Sequence, residues 1–165
     1  MLSTYMDYEN WLFDKMVSMA SLSPQLSDDE DENGNGEFSL AIYEIGNDLM
    51  YGETEWDQDD GHLSESWVFE NCRGKEGEII LGGWNRISGI GLNINGVHDI
   101  LQNWECCNRE QIKLFVIFTL AHERYHREHG HKCEYHTLEE HNSHPNEIAA
   151  QRAGYDAAQI YLNNL

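Results

Sequence analysis

Cations are scarce in this sequence. Its 165 residues include 10 Lys and Arg against 30 Asp and Glu, for a formal charge of -20. Phosphate backbones are gripped by clustered Lys and Arg, so direct nucleic-acid binding is not expected. Docking on anionic lipid is disfavoured for the same reason. No apolar run approaches the ~20 residues a membrane helix needs. The stretch from Met1 to Ser21 has no basic start and carries Asp7, Glu9 and Asp14, so it does not read as a secretory signal. There are only 2 prolines, which argues against a long proline-rich linker. Cysteine is sparse as well: Cys72, Cys106, Cys107 and Cys133, with no Cys-x-x-Cys spacing. A cysteine zinc knuckle is therefore not expected, and the thiols read as reduced residues of a cytoplasmic protein.

The length suits one ordinary domain, and a hydrophobic content of 40% is enough to build a core. The charge is uneven. Residues 1–70 hold 18 acidic residues and one basic residue, Lys15, whereas residues 71–165 hold 12 and 9. Residues 4–21 read as a helix, with Tyr5, Tyr8, Leu12, Met16 and Met19 at three- and four-residue steps. The run from Ser27 to Gly36 is acidic and glycine-bearing with no apolar residue, and reads as a solvated loop. This sets an N-terminal helix plus acidic loop, 1–36, apart from a main domain, 37–165. Residues 37–45 read as a strand, and short strands are expected at 63–70, 77–82 and 86–95. A second acidic run spans 53–60.

The last third changes character. Residues 109–129 predict a central helix, apolar nearly all round in its first half, with Asn108 as N-cap and Gly130 as C-terminal stop. Residues 131–143 are polar and histidine-rich. Pro145 opens a final amphipathic helix over 145–162. The expected class is α+β: a small twisted, mostly antiparallel sheet packed on the central helix and a C-terminal helix.

The central helix contains His122-Glu123-Arg124-Tyr125-His126, an H-E-x-x-H pattern. Histidines four apart share a helical face, so both imidazoles can reach one Zn2+ ion. Glu123 beside them can take a proton from a zinc-activated water and pass it to a leaving amine. A catalytic zinc usually has a third protein ligand. Candidates are His129, His131, His136, His141, His144 and Glu147. Glu147 is favoured, because it opens the last helix, where Ala149, Ala150 and Ala153 would permit close helix approach. Its simpler reading is a first-turn carboxylate serving the helix dipole.

These residues resemble the zincin metallopeptidases. Phe118 to His126, followed by Asn146-Glu147-Ile148-Ala149-Ala150, is similar to the gluzincin arrangement, and in particular to the ImmA/IrrE-type enzymes of bacteria, mobile elements and phages. The resemblance covers residues 86–163 at most. It implies zinc ligands His122, His126 and Glu147, with Glu123 as general base. It also implies an edge strand at Gly89 to Ile94 that holds an extended peptide. Tyr125 departs from relatives with glycine before the second histidine. An SprT-like alternative takes His141 or His144 as third ligand. The oxyanion partner could be Tyr155, Tyr135, His141 or His144, with Tyr155 the leading candidate. The leading function is a zinc endopeptidase acting on a protein or peptide substrate, with a basic surface expected on that substrate, in the cytoplasm (the host's, for a viral protein). The competing class is an acidic binding or inhibitor protein that mimics nucleic acid or engages a basic partner.

Overall fold

The structure, a computed structural model, describes residues 2–27, 29, 36–50, 81–85, 89–130 and 137–165. The described elements run α1 (Tyr5–Ser18), α2 (Glu37–Met50), β1 (Gly82–Asn85), β2 (Gly89–Leu92), α3 (Ile94–Asn103), α4 (Arg109–His129), α5 (Leu138–Ser143) and α6 (Pro145–Asn163). The protein is thus mostly helical, and the expected α+β class with a twisted sheet is overturned. Among the described residues, β1 and β2 form one short antiparallel ribbon, in the register Gly82 to Leu92 and Asn85 to Gly89.

Two segments account for the difference. The predicted strand over 37–45 is the first part of α2. Its buried residues are Phe38, Ala41, Ile42, Ile45, Gly46 and Met50, at helical steps. Leu40, which suggested alternation, is 42% exposed. The predicted strand over 86–95 is cut short at Leu92. Asn93 then caps α3, its side-chain oxygen accepting a 2.9 Å hydrogen bond from Gly96 N. That helix was not expected, although Ile94, Val97 and Leu101 give it a buried face. The predicted strand at 63–70, most of the one at 77–82 and the acidic run at 53–60 lie outside the described residues.

The helices that carry the site obey their caps. Asn108 and Gln111 form a reciprocal capping box at the start of α4, with bonds of 2.8 and 3.1 Å. Gly130 ends α4 in the left-handed conformation at φ 62°. The same two cap residues reach α1. Asn108 Nδ2 donates to Met19 O at 2.9 Å, and Gln111 Nε2 donates to Met16 O at 2.7 Å. Tyr8, Leu12 and Met16 of α1 therefore belong to the same buried core as α2 and α4.

Helix α6 lies close against α4. Its buried face reads Glu147, Ala150, Gln151, Gly154 and Ala158, at three- and four-residue steps. A Cβ at Gly154 would stand 2.8 Å from Phe118 O and 2.9 Å from Phe118 Cδ1. The two backbones therefore meet where no side chain fits. The small-residue face is Ala150, Gly154 and Ala158, where the sequence pointed to Ala149, Ala150 and Ala153. Glu147 and Gln151 continue that face toward the H-E-x-x-H end of α4.

Candidate metal centre

Helix α4 places His122 and His126 on one face, one turn apart and both buried. Helix α6 delivers Glu147 to them from its first turn, 1% exposed. The His122 and His126 Nε2 atoms are 3.2 Å apart. Glu147 Oε1 is 3.3 Å from His122 Nε2, and Oε2 is 2.6 Å from His126 Nε2. One donor atom from each residue lies within 4.8 Å of the others, close enough to bind a single metal ion. The two imidazoles meet different oxygens of the one carboxylate, His122 the Oε1 and His126 the Oε2.

The outer groups orient this set. His122 Nδ1 donates to Gln151 Oε1 at 2.9 Å, which leaves Nε2 with a lone pair for a metal. Gln151 Nε2 in turn donates to Tyr5 O at 3.3 Å. One amide therefore joins α4, α6 and the start of α1. His141, from α5, puts its Nε2 2.6 Å from Glu147 Oε1. The Tyr5 ring stands edge-on to His141 at 5.3 Å and to His122 at 6.4 Å.

Electrostatics follow from burial and pairing. Burial pushes the Glu147 carboxyl up, but hydrogen bonds from His122, His126 and His141 outweigh it and hold Glu147 well below the usual carboxylate range. Burial works against a charged His122, and Glu147 and Glu123 outweigh it, so His122 is raised. His141 is raised by the same balance, with Glu147 and Asn142 overcoming burial. Glu123 is raised by burial, partly offset by His122 and His126. Tyr5 is raised well above 10.0 by burial, then by Glu9, Glu147 and Glu123.

The sequence candidates fall into three groups. His122, His126 and Glu147 come together, with Glu123 inside their field and His141 against Glu147. Three others are engaged elsewhere. His129 is exposed, bonded to Tyr125 O at 2.8 Å and stacked on the Tyr125 ring. His144 caps α6, its Nδ1 accepting from Asn146 N at 3.0 Å. Tyr155 packs on Trp11 and Tyr8, with ring centroids 4.6 and 5.6 Å away. Its hydroxyl accepts from Gln159 Nε2 at 2.8 Å. Eight residues of helix, about 12 Å of axis, separate it from Glu147. His131, Tyr135 and His136 lie outside the described residues.

No family model, curated protein or solved structure matches this chain. The chemistry of the centre follows from its own residues. Two imidazoles and a carboxylate form a set suited to zinc. A carboxylate of raised basicity and a protonated phenol stand beside it. Sequence reasoning missed Tyr5, Glu9 and Gln151. Gln151 carried a local signal, four residues after Glu147 on the same helical face. Tyr5 and Glu9 carried none, since more than 100 positions separate them from their partners. No helix among the described residues is long and apolar enough to cross a membrane.

Proposed function

We propose that this protein is a zinc-dependent peptidase that hydrolyses protein or peptide substrates. The observation that carries the reading is the convergence of His122, His126 and Glu147, with Glu123 beside them and left without a hydrogen bond or ion pair among the described residues. His122, His126 and Glu147 would hold the zinc, which when bound would supply Lewis-acid polarisation of a carbonyl and an acidified water, its pKa lowered from 15.7 toward about 7. Glu123 accepts the proton of the attacking water. It returns that proton to the amine as the peptide C–N bond breaks. Burial raises the Glu123 carboxyl in the metal-free protein, the direction that favours its taking up the proton. Tyr5 takes the role first expected of Tyr155. Its phenol stays protonated and donates to the carbonyl oxygen as negative charge develops there.

Glu123→Gln tests this reading. Zinc content should match that of the unaltered protein, while hydrolysis of a denatured protein substrate disappears. Hydrolysis that persists in that variant would refute the mechanism.

One observation favours a second reading. His141 Nε2 sits 2.6 Å from Glu147 Oε1 and is near enough to complete a closed, four-ligand structural site. On that reading His141→Ala loses zinc, whereas the peptidase reading requires it to keep zinc.

A further inference from the structure

We infer that Glu9 is a substrate-binding carboxylate that pairs with a cationic nitrogen beside the scissile bond. The inference rests on the peptidase reading for the word substrate, and on the geometry of α1 for the site. Tyr5 and Glu9 are one turn apart and share a face of α1. That face is turned to the metal centre. The Tyr5 ring meets His141 and His122, and the Tyr5 carbonyl takes the hydrogen bond from Gln151. Glu9 is partly buried and takes no hydrogen bond or ion pair among the described residues. Among the described residues, the charges that act on it come from His122 and His141, and no Lys or Arg is among them.

A half-buried carboxylate beside a metal centre has three ordinary explanations. It can be a ligand, but Glu9 is outside the group that one ion would join. It can be half of an internal ion pair, but it has no such partner among the described residues. It can also await a cation brought by a ligand. Glu9 adds a carboxylate at the edge of this centre, so an acidic group is poorly matched beside it. The matching cation is an ammonium or guanidinium. It can come from a Lys or Arg side chain, or from the free α-amine of a substrate N-terminus.

Equilibrium binding to the zinc-loaded Glu123→Gln protein tests this without relying on turnover. The probes are acetylated, amidated alanine-based peptides in which lysine or its neutral analogue norleucine is walked through every position. A second arm uses lysine-free peptides with a free or an acetylated N-terminus. A charge-assisted contact predicts that the cationic member of one pair binds about tenfold or more tightly. Adding Glu9→Gln should reduce that ratio to near one, with zinc content unchanged. The arm that responds identifies the source of the cation.

Equal binding within every pair, a ratio that survives Glu9→Gln, or no binding by any peptide would overturn the inference. So would loss of zinc on Glu9→Gln, which would make Glu9 a ligand. Glu9-dependent binding in a protein that hydrolyses nothing would refute the peptidase reading and leave this one standing.

Discussion

Helices α6 and α1 both meet the H-E-x-x-H end of α4, and they meet it in opposite ways. Helix α6 arrives through small residues and presents a carboxylate saturated by three imidazoles. Helix α1 arrives with Tyr5 and Glu9, whose polar tips take no hydrogen bond among the described residues. On the proposed function, the difference separates holding from acting. A buried charge persists only when it is paired, so the α6 contribution is a closed structural device. Tyr5 and Glu9 have no such pairing among the described residues, which is what the proposed substrate contacts build on.

The comparison breaks most readily at Tyr5. Tyr5→Phe removes one hydroxyl and keeps the ring that packs on His122 and His141. We expect kcat to fall about 10²–10³-fold, the usual effect of losing one oxyanion donor, with zinc content and KM nearly unchanged. Steady-state kinetics alongside metal analysis checks this, and a loss of zinc would place Tyr5 with α6 in the holding group.

On the α6 side, Gln151→Leu leaves His122 Nδ1 without its acceptor. Losing such an outer partner should weaken zinc binding about 10–100-fold, measured by competition with a chelator. Activity at saturating zinc should recover, which separates the two helices by readout.

The smallest effect is the pH dependence of the metal-free protein. His122 and His141 are raised above the usual 6.5, so their stabilisation is complete below that value and is lost as pH climbs through their raised values. Glu147 is lowered from 4.5, so its contribution is complete above that value and is lost as pH falls toward its lowered one. Thermal stability without metal should therefore be highest between 4.5 and 6.5. The added stability from zinc should grow above 6.5, because zinc then displaces fewer protons. A metal-free optimum above that window would contradict the pairing of Glu147 with the histidines.

Legibility in the sequence followed the range of each interaction. The bounds of α4 and the start of α6 were readable because Asn108, Gly130 and Pro145 act within a turn of themselves. The ligands on α4 were readable for the same reason, since His122 and His126 define their own geometry. Glu147 was reachable through its position at a helix start. The α2 segment was misread because the apolar positions of a nine-residue segment fit both periods, and only its continuation to Met50 decides for helix. Tyr5 was read as one residue of a packing face. Its place beside the centre is fixed by a contact to Gln151 across 146 positions, which no local pattern encodes. Tyr155 was the leading candidate in sequence, and α6 carries it about 12 Å along its axis from Glu147, onto Trp11 and Tyr8.

The most direct measurement is zinc stoichiometry by elemental analysis on the purified protein and on Glu147→Ala. The account predicts one zinc per chain, lost in the variant while its helical circular dichroism is retained. No bound zinc in the unaltered protein, or zinc held equally well without Glu147, would contradict it.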